Sequence, residues 1–233
     1  VLIGAAFLLC AAAYLLPPRL LDKDKSAGPT SALSRGELVS FGRFEQDGEE
    51  GNGPEELMWI VLDKTEDGVL LLCRDVLLPM PYHETYGDIT WADCTLRAWL
   101  NGSFLAEAFT GKEQQRIVTV DNENPGNTEF GTDGGPRTSD RVFLLSLDEA
   151  GIYIQTEEQR YLTGAADATP YAADRKIELV EAYEGKATWW LRSPGADQYA
   201  AAFVDPDGST YRYGAVANME TYCGVRPAIY IRN

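Results

Sequence analysis

The sequence predicts an α+β domain built largely from antiparallel strands. Three observations carry that expectation. Strand-like apolar runs stand at both ends of the region after Gly36, helical spacing is confined to short stretches between them, and neighbouring runs are joined by turn residues such as Asp67-Gly68 and Asp207-Gly208. At 233 residues the chain has room for one sizeable domain or at most two small ones. Its hydrophobic fraction of 45% is ordinary for a globular protein, so a substantial core is expected.

The elements follow in order. Residues 38–44 (LVSFGRF) read as a strand and 47–54 (DGEEGNGP) as an acidic, turn-rich loop. Residues 57–63 (LMWIVLD) and 69–78 (VLLLCRDVLL) are apolar runs joined by KTEDG, a hairpin pattern that Pro79 and Pro81 end. Thr90 is expected to cap a helix, with Asp93 as its capping-box acid. Ala92, Leu96, Trp99 and Leu100 then share one stripe, and Asn101-Gly102 is the expected stop. Phe104, Leu105, Ala108 and Phe109 repeat that spacing in a second short helix, and Thr110 with Glu113 caps a third. Residues 121–140 read as one long loop, a length that usually marks function or mobility. Residues 141–147 return as a strand and 148–151 turn. Short helical and loop signals mix over 157–183. Residues 200–204 and 210–216 form a hairpin about Asp205-Pro206-Asp207-Gly208, and 225–231 close the domain as a strand.

Residues 1–16 (VLIGAAFLLCAAAYLL) form an uncharged apolar run. There is no initiator Met, so the chain is expected to continue upstream. A membrane span needs roughly 20 apolar residues, which a few preceding ones would complete. An uncleaved anchor is the expectation, because Tyr14-Leu15-Leu16 continues the run past Ala11-Ala12-Ala13; a signal peptide cleaved there is the alternative. Either reading exports the domain, to the outer face of the cell membrane or beyond it. Residues 17–35 read as a linker and 36–233 as a single folded domain.

With 20 basic against 36 acidic residues the net charge is −16, a surface that repels nucleic acid and anionic lipid headgroups. Cys10 lies in the apolar run, and Cys73 sits in VLLLC, where a thiol behaves as a small hydrophobe. A Cys94–Cys223 disulfide is compatible with an exported chain. There is no CxxC and the one histidine is His83, which excludes zinc held by thiolate and imidazole. Asp121, Asn122, Glu123, Asn124 and Asp133 are hard oxygen donors without EF-hand spacing, so no metal and no cofactor are expected. No GxSxG elbow accompanies His83, and no phosphate-cradling glycine loop is present.

Two segments stand out: WWLRSPG at 189–195 and GVRPA at 224–228. Guanidinium groups inside apolar runs must be paired or hydrogen-bonded, with Asp93, Glu149 or backbone carbonyls as expected partners. Trp91, Arg97, Trp99, Trp189, Trp190, Arg192 and Arg226 are therefore read as framework. Between the two segments, Tyr199, Tyr211, Tyr213, Asn218 and Tyr222 have the tyrosine-and-small-polar composition of adaptable binding surfaces. Tyr211 and Tyr213, two apart, share one face of a strand.

In order, the chain carries WIVLD (59–63), TWADCTLRAWLN (90–101), FLLS (143–146), WWLRS (189–193) and GVRPA (224–228). In these motifs it resembles a family of uncharacterised exported domains of Gram-positive, often gut-dwelling, bacteria; Cys94 stands where that family usually has Ser. More distantly, the closing Gly-Val-Arg is similar to the Gly-Phe-Arg ending of formylglycine-generating (sulfatase-modifying) enzymes. Those share a C-type-lectin-like fold with the variable proteins of diversity-generating retroelements. That resemblance implies paired amino- and carboxyl-terminal strands, helices packed on twisted sheets, long display loops, and a binding surface on the Tyr199–Tyr222 stretch. The function expected is a membrane-anchored extracytoplasmic module that binds a protein or a carbohydrate. The alternatives are a hydrolase acting on cell-surface polymers with Asp133 or Asp205 in play, a sulfatase-modifying-factor-like enzyme, and a structural spacer.

Overall fold

The computed structural model describes residues 19–20, 33–65, 68–180 and 185–232. The apolar segment 1–16 and most of the linker lie outside the described residues. No helix among the described residues is long and apolar enough to cross a membrane.

The fold is mixed α+β, with mostly antiparallel sheets and few, short helices. Its largest sheet has the order β1-β2-β3-β4-β14-β7: β1 (Arg19–Leu20), β2 (Leu38–Phe44), β3 (Glu55–Lys64), β4 (Val69–Cys73), β14 (Ala228–Ile231) and β7 (Val142–Phe143). Only the β1–β2 pairing is parallel. All five residues of β4 are buried, which explains why Val69-Leu70-Leu71-Leu72-Cys73 reads as a continuous apolar run rather than an alternating one. The strand ends at the charged Arg74-Asp75, an ion pair of 2.6 Å where the chain bends.

The strand pairing implied by the lectin-like resemblance is not the one observed. β14 lies between β4 and β7, and two strands separate it from β2. A second sheet of three strands, β11-β12-β13, is formed by Trp189–Pro194, Ala200–Val204 and Thr210–Val216. β11 and β12 are buried throughout, and an isolated bridge from Trp189 to Gly224 ties this sheet to the segment that leads into β14. The small strands β5 (Val120–Asn122) and β6 (Thr138–Asp140) pair with each other, so the expected long loop contains a hairpin. β8 (Ala166–Asp167), β9 (Leu179–Val180) and β10 (Lys186–Ala187) complete the strands.

The helices depart from expectation in three places. α1 (Thr95–Trp99) starts one turn later than Thr90: its cap is Cys94, whose sulfur accepts from the Arg97 N–H. Thr90 and Asp93 instead close a turn ahead of it. Asn101-Gly102 does not stop the helix. Leu100–Phe104 continues as a wide π-type turn into α2 (Leu105–Ala108). That widening lets the Asn101 amide donate to the Val142 carbonyl and accept from the Arg141 and Val142 N–H groups, so a side chain completes the edge of β7. Residues 148–151 are helical, within α4 (Leu147–Tyr153), whose Ser146 and Glu149 make a capping box. The Thr110–Glu113 box of α3 (Gly111–Arg116) forms as the spacing predicts. α5 (Glu157–Gln159) and α6 (Pro170–Asp174) are short.

Candidate functional site

The tyrosines of the carboxyl-terminal third come together on the β11–β13 sheet. The turn between β12 and β13 is closed by Gly208 N–H to the Asp205 carbonyl and Asp205 N–H to the Ser209 carbonyl, both at 2.8 Å. Gly208 has φ +80°, and a Cβ there would lie 2.2 Å from the Arg160 carbonyl, so only glycine fits. This turn sets the register that pairs Phe203 with Tyr211. Phe203 is buried and supports two rings: Tyr211 at 4.9 Å and Tyr222, edge-on, at 5.4 Å between centroids. Tyr213, two residues along the same face, is 6.5 Å from Tyr211.

The face extends beyond the hairpin. Asn127, 1% exposed, donates through its amide to the Pro194 and Arg212 carbonyls, and the Thr132 hydroxyl donates to the Gly195 carbonyl. These bonds stitch the 121–140 segment to the sheet and place Phe130 edge-on to Tyr213 at 5.6 Å. Tyr199 precedes β12 and packs against Tyr86 at 5.2 Å. Its hydroxyl is hydrogen-bonded to Asp197, which together with that carboxylate's charge pushes the phenol above its usual range. Asn218 is half-buried in the turn after β13, beside Ala217, whose N–H bonds the Tyr199 carbonyl. The rings remain accessible: Tyr211 is 45% exposed, Tyr213 57%, Phe130 38% and Tyr86 66%. Exposed aromatics in a contiguous group are what distinguishes an interaction surface from scattered apolar residues.

Phe130 and Tyr86 are missing from the sequence reading. Phe130 sits in a polar loop whose attachment depends on Asn127 reaching across to β13, and Tyr86 in a turn-rich segment after Pro81. An isolated aromatic in a loop of that composition was the available signal.

The tryptophans and arginines lie in the interior. Trp91, Trp189 and Trp190 are fully buried, and their indole N–H groups donate to Asp140, the Gly164 carbonyl and the Met80 carbonyl. Trp99 is half-buried against Phe44 and Phe104. Arg97 pairs with Asp140 at 2.6 Å; this carboxylate is wholly buried and accepts from Trp91, Asn122 and Thr138 as well. Asp140 is a hub that the sequence reading missed. Arg192 is 4% exposed, grips Glu149 with two nitrogens, and donates to the Leu144 and Glu123 carbonyls. Arg226, fully buried, donates to the carbonyls of Cys73, Arg74, Thr163 and Gly164, with its guanidinium 4.8 Å above the Trp189 ring.

An open cleft of about 1000 Å³ lies elsewhere, lined among others by Asp121, Glu123, Asp148, Glu149, Arg192 and Tyr230. Its most buried carboxylate, Glu149, is engaged at both oxygens by Arg192 and by the Ser146 N–H. Glu149 therefore acts as a strut here. Asp133 is exposed and accepts from the Gly135 N–H, while Asp205 is part of the hairpin turn, its carboxyl raised by partial burial and then by Asp207. Glu45, Asp47 and Glu55 converge to within 4.8 Å, but the loop's own donors bond each of them: Gly48 to Glu45, Glu49 and Asn52 to Asp47, and Gln46 to Glu55. Cys73, Cys94 and Cys223 are buried free thiols, so the Cys94–Cys223 disulfide is not formed. Desolvation pushes the Cys94 thiol up to about 12.

Residues 66–233 match the family described as a domain of unknown function (DUF6273). The chain belongs to this family. All five candidate tyrosine-face residues fall within the matched range, as do the buried Arg192 and Arg226. β2 and β3 precede it, yet β3 pairs with β4 across Trp59–Cys73 and Lys64–Val69, so the sheet of this DUF6273 domain begins before the matched residues. No curated protein and no solved structure matches the chain.

Proposed function

We propose that this DUF6273 domain is an extracytoplasmic binding module that recognises a protein or glycan ligand through Tyr199, Tyr211, Tyr213, Asn218 and Tyr222. The 1–16 segment holds it at the cell membrane as an anchor, or is cleaved to release it. In this reading residues 36–233 act as one unit, C-type-lectin-like in its short helices, antiparallel sheets and long loops but with a different strand pairing. Trp91, Arg97, Trp99, Trp189, Trp190, Arg192 and Arg226 are a framework that takes no part in ligand contact. The observation that carries the proposal is the run of accessible rings formed by Tyr211 and Tyr213 on the β12–β13 hairpin and by Phe130 on the loop held against it, beside the Tyr86–Tyr199 pair. Tyrosine suits such a surface because a large amphipathic ring costs little side-chain entropy to immobilise. The chemistry that supports the reading is polar and aromatic.

Replacing Tyr199, Tyr211 and Tyr213 together with alanine tests the proposal. The triple variant should melt within a few degrees of the parent chain and lose ligand capture on protein and glycan arrays. Unfolding would place the tyrosines in the core, and undiminished capture would place the site elsewhere. The enzymatic alternative rests on the 1000 Å³ cleft with its four carboxylates. Turnover of a cell-wall glycan at catalytic protein concentration, abolished by Asp148→Asn, would favour it.

A further inference from the structure

Resting on that reading of the tyrosine face, we infer that its partner is a cationic polypeptide segment, one that presents lysine or arginine side chains to the exposed rings. The face is bordered by acids on all the elements that build it. Asp197 holds the Tyr199 hydroxyl, and Asp133 is tied to the same turn because the Gln198 amide bonds the Asp133 main chain in both directions. Glu129 immediately precedes Phe130. At the other end, Asp205 and Glu178 bear on Tyr222, and Asp207 follows in the hairpin turn. Of the bases near it, Arg212 lies between Tyr211 and Tyr213 in β13, where strand alternation turns it to the opposite face, and Arg160 meets the hairpin turn at Gly208 through its main-chain carbonyl.

Accessible aromatic rings inside an acidic border are complementary to ammonium or guanidinium groups. Such a cation gains from the ring quadrupole as well as from the carboxylates. The net charge of −16 would draw it in and repel anionic glycans or nucleic acids. The shape favours a chain over a single sugar. The accessible rings Tyr211, Tyr213 and Phe130 stand at successive centroid spacings of 6.5 and 5.6 Å, and the buried Phe203 joins Tyr222 to Tyr211. An extended peptide repeats same-side side chains about every 6.6–6.8 Å, so alternate basic residues can address successive rings.

The test uses the whole chain and four probes: hexa-arginine, its neutral analogue hexa-citrulline, a neutral N-acetylglucosamine oligomer, and an anionic heparin oligosaccharide. Hexa-arginine should bind at low salt and weaken as salt rises. Y211A/Y213A should weaken it roughly fivefold or more, from two exposed cation–π contacts. D197N/D205N should weaken it about threefold, and the off-face control E107Q/D121N should leave it unchanged. If Y211A/Y213A fails to fold, Tyr213→Ser carries the comparison, since that ring is more than half exposed. Capture of hexa-citrulline or either glycan as well as hexa-arginine, lost in Y211A/Y213A, would overturn the inference and keep the tyrosine face as the site. Equal weakening by E107Q/D121N and D197N/D205N would also overturn it, as a diffuse field effect. Binding of every probe untouched by the tyrosine substitutions would overturn both this inference and the face on which it rests.

Discussion

Arg226→Met removes the most deeply buried cation described here and gives the sharpest test of the framework. The guanidinium is fully buried and donates to four main-chain carbonyls, of Cys73, Arg74, Thr163 and Gly164. Gly164 keeps a partner without it, because the Trp189 indole N–H donates to the same oxygen at 2.9 Å. The carbonyls of Cys73, Arg74 and Thr163 lose these bonds; the bond to Cys73 is buried, where an unsatisfied polar group costs about 1–3 kcal/mol, and the other two are partly buried and cost less. Stacking on Trp189 adds about 1–2 kcal/mol in a desolvated setting. Removing the charge also relieves its desolvation cost, which offsets part of the total. A net loss of about 3–5 kcal/mol is expected, a large share of the roughly 5–15 kcal/mol that holds a domain together. Arg226→Lys keeps a charge but not the planar fork, and should fall between. Guanidinium titrations followed by tryptophan fluorescence measure both. If Arg226→Met shifts stability by less than about 1 kcal/mol, the argument that this guanidinium ties these main-chain carbonyls together is wrong.

The remaining expectations are more compact. Asp140→Ala removes the buried carboxylate that pairs with Arg97 and accepts from three further donors, and should cost about 3–5 kcal/mol in the same titration. Asp205 has a folded-state pKa raised above its unfolded value, so its contribution to stability is present in acid and is lost as pH rises through the folded value. Asp205→Asn should therefore melt slightly above the parent at pH 7, and the difference should vanish below the ordinary aspartate value, about 3.9. A pH series of thermal melts checks the sign. In a Cys10→Ser background, Ellman's reagent at pH 8 should find no reactive thiol in the folded chain and three after denaturation, because burial keeps Cys73, Cys94 and Cys223 protonated and covered. Gly208→Ala should destabilise the β12–β13 hairpin, since its Cβ would collide with the Arg160 carbonyl.

What could be read from the residues was whatever local chemistry decides. The β12–β13 hairpin follows from Asp-Gly between two apolar runs, the α3 cap from Thr110 and Glu113, and the facing of Tyr211 and Tyr213 from strand alternation. Features fixed by partners distant in the chain were not legible. Cys94 caps α1 where Thr90 had the better credentials, because Trp91 is anchored on Asp140, 49 residues on. Asn101-Gly102 has the composition of a helix stop, yet the Asn101 amide is used up on β7 and the helix widens around it. The tyrosine face was half visible for the same reason: its hairpin members are near neighbours, whereas Phe130 arrives only through Asn127 and Thr132, more than 60 residues from the carbonyls they hold.

The first two long strands matter for how this kind of domain is cut. A chain trimmed to the matched residues would leave one flank of β4 without β3, a row of main-chain donors and acceptors beside side chains that are all apolar. Such a raw margin invites other copies to dock along it. Any dissected piece meant to stay dispersed in solution should therefore start upstream of Leu38, so that the sheet keeps its own selvedge.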